Sequence, residues 1–290
     1  MKTRSFRSVT ANNAWLYLAP ALILLLIFFI WPLINAFLYA FTYEGKTTFD
    51  NFSYIFSDPE FWIALKNTLI FVVVVVPTAL TISLSIAIAI HSKIKGAQVF
   101  ETMYFMPYVT SVIAIGIVWS VMFHSDYGVI NTIIKTLGGS RIPWLNSPKF
   151  ALLSVIIFSV WKSLAFDIVI LLTSLRTINP QLYRVADIDG AGSWMKFRRI
   201  TLPLLSPTLT FLTLLGMIGA FKVYDNVVGL FGTTTAGPAN SALTLVYYIF
   251  RSMYGRNDLH LAAAAAVVLF VVVLLFTILQ RYLMKKIEKA

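Results

Sequence analysis

Six stretches of this 290-residue chain run for about 20 residues or more with almost no charge, and no other feature restricts its fold so tightly. They cover roughly residues 15–41, 65–90, 102–123, 150–172, 205–228 and 261–279. A helix rises about 1.5 Å per residue, so each stretch is long enough to cross a hydrocarbon core about 30 Å thick. Inside lipid only helices and closed barrels satisfy every backbone polar group, and runs of this length are not barrel strands. The five valines from Val72 to Val76, strand-like by propensity, are therefore read as helix, with Pro77 kinking it. The first run is too long for a signal-peptide core and has no small-x-small cleavage site, so it reads as an uncleaved span. Hydrophobic residues make up 59% and charged residues 12% of the chain, too few charges to cover a soluble surface. The expected fold class is all-α, a polytopic membrane protein with six transmembrane helices.

The net charge of +11 could suggest nucleic acid, but the distribution of the basic residues argues otherwise. With both termini in the cytoplasm, the inner face carries Lys2, Arg4, Arg7, Lys93, Lys95, Arg176, Arg184, Lys196, Arg198, Arg199, Arg281, Lys285, Lys286 and Lys289. The outer face carries Lys46, Lys135, Arg141, Lys149, Arg251 and Arg256. Such an excess is the positive-inside signal of an inserted membrane protein. No nucleic-acid partner is expected. The absence of cysteine excludes disulfides and thiolate metal sites, and three histidines far apart give no reason to expect a metal site.

The polar link between the fourth and fifth runs, RTINPQLYRVADIDGAGSWMKFRRITLPLLSP from Arg176 to Pro207, has the markings of two short helices. Asn179 is a candidate N-cap with Pro180 at the first helical position. The stretch from Gln181 to Asp189 then places Leu182, Val185 and Ala186 on one face. Gly190 and Gly192 break that helix, supplying left-handed conformations. Ser193 is expected to cap a second helix reaching about Thr201, which Pro203 and Pro207 stop before the next span begins. On shape alone the object is a helix–turn–helix lying under the membrane, equally at home as a linker along the headgroups.

The order Arg184-Val185-Ala186, then Gly190, then Ile200-Thr201-Leu202-Pro203 resembles the EAA loop of ABC importer permeases. The flanking Leu182-Tyr183 and Ile188-Asp189-Gly190-Ala191 resemble its sugar-type branch. The glutamate that names the loop is Arg184 here, and the alanine after it is Val185. The first run from Ala14 to Trp31-Pro32, Tyr104-Phe105-Met106-Pro107 in the third and Trp161-Lys162 in the fourth are similar to sugar permeases as well. So is TTTAGPAN, from Thr233 to Asn240, which is similar to the outer loop of the first-permease branch.

The resemblance implies a type I ABC importer permease fold. It divides the chain into a cytoplasmic tail (1–14), a first transmembrane helix (15–41), a permease core (65–281) holding the cytoplasmic loop (176–204), and a second tail (282–290). It implies a loop coupled to a separate ATPase through Leu182, Tyr183, Arg184, Val185, Ala186, Asp189, Gly190, Ala191, Ile200, Leu202 and Pro203. Gly237, Pro238 and Asn240 would meet an extracytoplasmic solute-binding protein. The implied partners are a second permease, two copies of an ABC ATPase carrying ATP and Mg, the binding protein and the bilayer. The expected location is a bacterial or archaeal cell membrane, and the expected solute a sugar or oligosaccharide, with glycerol-3-phosphate or a related polyol or phosphodiester as the alternative.

Charges within apolar runs cost roughly 2.5–3.5 kcal/mol each, so each requires a reason. Lys162 and Asp167 lie in the fourth run, and Lys222 and Asp225 near the outer end of the fifth. Together with Trp161, Tyr224 and Asn226 they either line a polar substrate path or neutralise one another between helices. Leu243, Val246, Tyr247, Phe250 and Tyr254 form one stripe of an outer helix that Asn240 or Ser241 would cap, serving either as a docking mouth or as an interfacial anchor. No G-x-x-x-x-G-K-[ST] phosphate loop occurs, so the chain is not expected to be an enzyme and ATP hydrolysis would fall to another subunit. A single-chain transporter coupled to an ion gradient through Asp167 and Asp225 is the reading from a different class, though no inverted repeat is visible.

Overall fold

The computed structural model describes residues 11–93 and 108–288. The first ten residues, Lys95, Glu101, the start of the third run with Tyr104-Phe105-Met106-Pro107, and Lys289 lie outside the described residues. Helix α1 (Ala11–Leu25) passes through a π-helical turn, Leu26–Ile30, into α2 (Trp31–Ala40). A two-residue hairpin pairs β1 (Thr42–Tyr43) antiparallel with β2 (Lys46–Thr47). Then follow α3 (Asp50–Ser57), α4 (Pro59–Lys93), α5 (Val112–Met122), α6 (Val129–Thr136), α7 (Pro148–Thr177), α8 (Pro180–Ile188), α9 (Ser193–Lys196), α10 (Leu202–Phe221), α11 (Asp225–Phe231), α12 (Leu245–Phe250) and α13 (Leu259–Glu288).

Among the described residues, five helices are long and apolar enough to cross a membrane: Trp15–Ala40, Pro59–His91, Pro148–Thr177, Ser193–Phe221 and Leu259–Leu283. The third expected run is represented by the shorter Val112–Met122. α7 is the central helix and packs along α4, while the first helix is exposed along its length and touches the rest through α2 against α13, where Phe37 and Phe270 meet edge to face at 5.8 Å. The larger core fills the half from Ala40 and Phe61 to Trp144 and Tyr247. A smaller one, with Ala87, Ile90, Leu171, Leu175, Ile178 and Leu205, fills the end that carries α8. The two ends are called the near end (α8) and the far end below.

The fifth run departs from expectation. Its helix stops at Phe221 rather than continuing to 228, and α11 is a separate short helix. The backbone leaves helical geometry at Tyr224, and the carbonyl of Val223 accepts a hydrogen bond from the buried Thr244 hydroxyl at 2.8 Å. Irregular backbone at such a depth is tolerated where protein supplies the missing partners. The freed helix α11 lies on α5 at a crossing of two glycines: a Cβ on Gly116 would stand 2.6 Å from the Gly229 Cα. Only glycine permits this approach.

The aromatic stripe is corrected too. Thr244, not Asn240 or Ser241, precedes the helix, and Leu243, Tyr247 and Tyr248 are fully buried rather than spread on an interface. Only the Tyr254 end of the stripe is open. The buried segment is held by side chains of α4: the Asn67 amide donates to the carbonyls of Ser241 (3.0 Å) and Leu243 (2.9 Å), and the Leu245 N–H donates to the Thr68 hydroxyl (2.8 Å).

Candidate functional site: a polar cavity, a coupling loop and a far-end clamp

Between α4, α7 and α10 lies a cavity of about 650 Å3, closed on one side by Tyr108 and Val112 and reached by Asn226 of α11. Its walls are mostly apolar, with Phe71, Val75 and Val76 from α4, Phe166 from α7 and Leu212 from α10. The polar groups come chiefly from α7, where Ser159, Lys162, Ser163 and Asp167 face the cavity. The Lys162 ammonium donates to the carbonyls of Tyr108 (3.2 Å) and Thr110 (2.9 Å), which precede the first residue of α5. The Asn226 amide donates to the Ser159 hydroxyl at 2.7 Å, joining α11 to α7. Tyr108 stacks on Phe166 with centroids 5.3 Å apart.

Three of the seven expected path residues, Lys162, Asp167 and Asn226, therefore meet in one cavity. The other four do not line it. Trp161 sits among Trp119 (5.2 Å) and Phe158, and Tyr224 packs between Tyr247 and Phe250. Lys222 and Asp225 are exposed and form no ion pair with each other, because the helix break between them removes the i, i+3 register that would have put them on one face.

At the near end, Asn179 caps α8 by accepting from the Gln181 N–H at 2.9 Å, with Pro180 first in the helix. The helix closes in a Schellman turn. Gly190 takes φ +72°, the Ala191 N–H reaches back to the Ala186 carbonyl (2.8 Å), and the Gly190 N–H to that of Asp187 (3.1 Å). Gly192, not Ser193, occupies the N-cap of α9. No stop follows at Pro203: α9, a π-helical turn at Phe197–Thr201 and α10 form one continuous helix to Phe221. The Leu202 N–H bonds to the Phe197 carbonyl, five residues back. That wider turn lets the chain pass Pro203, which can donate no N–H of its own.

The second arm of the loop is thus the head of a spanning helix rather than a separate piece. The Tyr183 hydroxyl meets that of buried Thr201 at 2.8 Å and Lys196 pairs with Asp187, fastening α8 to the π turn. Leu182, Val185 and Ile188, three residues apart along α8, remain exposed, as do Trp194 and Met195 on α9, and exposed apolar side chains outside the spans are of the kind that mark contact sites. Arg184 and Asp189 are exposed on the same short helix, Ala186 and Ala191 are half-buried at its turn, and Ile200 and Leu202 are half-buried in the continuous helix behind it.

The far-end loop is built on left-handed backbone at Gly237 (φ +79°), Ala239 (φ +51°) and Asn240 (φ +55°). Gly237 is buried, and a Cβ there would stand 3.1 Å from that of Ala151. With Pro238 it borders an open cavity of about 550 Å3 that also holds His124, Tyr127 and Asn146. The Asn240 amide donates to Glu60 at 2.9 Å. Glu60 belongs to a cluster that the sequence did not suggest. Arg256 donates to Asp58 (2.9 Å) and Glu60 (2.7 Å), Arg251 pairs with Glu60, and the Tyr248 hydroxyl donates to Asp58 at 2.8 Å. Burial alone would raise the Asp58 pKa, but the hydrogen bonds from Arg256 and Tyr248 outweigh it and hold the carboxyl below its ordinary value. Burial and the Asp58 carboxylate push the Tyr248 phenol upward. The one sequence signal was local: Asp58-Pro59-Glu60 reads as a helix start, and Asp58 does accept the Glu60 N–H at 2.9 Å.

A family model described as the binding-protein-dependent transport system inner membrane component matches residues 79–289, which include most of the cavity wall, the α8 loop and the far-end loop. The chain belongs to this family. It is a multi-pass permease component of an ABC importer that works with a binding protein, a transport subunit rather than an enzyme. Among its relatives, the lactose transport system permease protein of Rhizobium radiobacter is 35% identical, over 92% of this chain and 91% of that one. The sn-glycerol-3-phosphate transport system permease protein of Salmonella choleraesuis is 30% identical over 98% and 99%. A chain in the crystal structure of a bacterial alginate ABC transporter, in complex with alginate pentasaccharide-bound periplasmic protein, matches with a TM-score of 0.83 at 26% identity, covering 96% of each. The single-chain, ion-coupled reading gives way to the importer permease.

Proposed function

We propose that this permease is one of two transmembrane subunits of an ATP-driven importer for a sugar or oligosaccharide, forming half of the path and coupling to a separate ATPase through residues 182–203. The observation that carries the reading is the near-end loop: a short capped helix, closed by Gly190 and bolted to a spanning helix, presents an apolar face to a partner. A second permease, two ATPase copies binding ATP and Mg, and a solute-binding protein engaging the Gly237–Pro238–Asn240 loop complete the assembly. In this reading both termini and the near end are cytoplasmic, in a bacterial or archaeal cell membrane. The lactose relative supports a sugar. The glycerol-3-phosphate relative, similar over nearly its whole length, keeps an anionic polyol as the second reading.

The test is Gly190→Val. A β-branched side chain resists the left-handed conformation, although open space surrounds the position. Uptake by the complete complex should fall at least tenfold with the protein still assembled in the membrane, while Gly190→Asn, which tolerates that conformation, should retain most of it. Normal uptake with Gly190→Val would remove the coupling claim.

A further inference from the structure

The cavity beside the middle of α7 holds one carboxyl group that the protein leaves uncommitted. Of the donors that face it, Lys162 is bonded to two backbone carbonyls, Ser163 to the Val160 carbonyl at 2.9 Å, and the Asn226 amide to Ser159. The Asp167 carboxylate has no such commitment, making no hydrogen bond or ion pair with another described residue. An ionised carboxylate only accepts. Lys162, the other ionisable group on the wall, is turned toward the start of α5, which leaves the Asp167 oxygens as the uncommitted polar atoms beside the apolar walls.

We propose that Asp167 makes this cavity selective for a neutral, hydroxyl-rich ligand and against phosphate- or carboxylate-bearing ones. This rests on the permease reading above and chooses between its two solutes. Sugar hydroxyls bring hydrogens to the uncommitted Asp167 oxygens, which accept whether or not the group is charged, and such a bond is of the strong kind where it is. A phosphate or carboxylate brings lone pairs to those same oxygens, and any ionisation of Asp167 adds repulsion. Phe71, Phe166 and Leu212 supply apolar surface for the C–H faces of a ring. The volume of about 650 Å3 lies within the range of roughly 300–1,000 Å3 that small-molecule sites occupy.

The absence of cysteine makes the test direct. Leu215 lines the same cavity and is partly open, so Leu215→Cys places this chain's single thiol there. The complete complex, in lipid nanodiscs, would be labelled with a small water-soluble maleimide, and labelling of this chain followed with time. Millimolar lactose, maltose or raffinose should slow it at least threefold for one of the three, and glycerol-3-phosphate should not. Adding Asp167→Asn should abolish sugar protection, and Asp167→Glu should preserve it. Protection by glycerol-3-phosphate, by glucosamine in preference to glucose, or by none of the sugars would overturn the proposal, as would sugar protection that survives Asp167→Asn. Co-purification of the ATPase, scored on the same samples, separates the outcomes. If it persists, only the ligand class has failed. If it is missing, the permease reading itself has failed.

Discussion

Asp58 shows how one side chain at a helix start is recruited by distant partners. It caps α4 through the Glu60 N–H and receives Arg256 and Tyr248 from almost two hundred residues further along. Its pKa is lowered in the folded protein, so its contribution to stability is present above the unfolded value of about 3.9 and is lost as pH falls through the folded value. Thermal melts of the detergent-solubilised protein should therefore drop as the pH goes from about 5 to below 4, and Asp58→Asn should flatten that dependence. A variant with the wild-type slope would show that the carboxylate is not held by this cluster. At neutral pH, Arg256→Met should cost about 1–2 kcal/mol, with the partial exposure of the pair keeping the loss modest. Beyond the helix start at Asp58, none of this could be read from the sequence, where Arg256 was simply one of six outer basic residues. The Gly190 turn was readable, because a glycine after a capped amphipathic stretch has few other uses.

The helices were legible where a single physical rule decides them, and misread where a distant partner does. Long uncharged runs gave α4, α7 and α13 because lipid leaves the backbone no other choice. The break after Phe221 was hidden because Val223, Val227 and Val228 prolong the apolar run, while the group that compensates the break, Thr244, lies 21 residues away. Pro203 looked like a stop because the rule for α-helices says so, and the π turn at Phe197–Thr201 is what evades it. That turn also defines a mechanical element. With α8 bonded to it through Tyr183 and Thr201, a push on the exposed face of α8 reaches α10 without a flexible joint. Tyr183→Phe and Thr201→Val should leave the complex assembled and hydrolysing ATP but lower solute moved per ATP by several-fold, and Thr201→Ser should restore it. Unchanged stoichiometry in Tyr183→Phe would show that the two arms need no such bolt. At the far end, Gly229→Val should force α11 from α5, lowering stability by about 1–3 kcal/mol or more and reducing yield of folded protein.

Taken whole, the molecule has a candidate contact site at each end and a cavity between them. The near end leaves apolar side chains of α8 exposed, the far end holds a strained loop in an acid–base clamp, and α4, α7 and α10 line the cavity. Of the candidate path, the sequence supplied Lys162, Asp167 and Asn226, because charges and amides in apolar helices need a polar destination. It could not separate them from Trp161, Lys222, Tyr224 and Asp225, since periodicity does not say which face of a buried helix meets a cavity and which meets another helix. The exposed apolar surface of the first helix suits lipid, whereas that of α8 lies outside the spanning helices. The central claim is that this permease works only with an ATPase seated on α8. Purifying the tagged chain from its native host in mild detergent and identifying its companions by mass spectrometry tests that claim most directly. The account predicts a second permease-like chain and an ABC ATPase in stoichiometric amounts, with the ATPase lost when Val185 and Ile188 are both changed to Asp. A chain that purifies alone, stable and competent for transport, would contradict it.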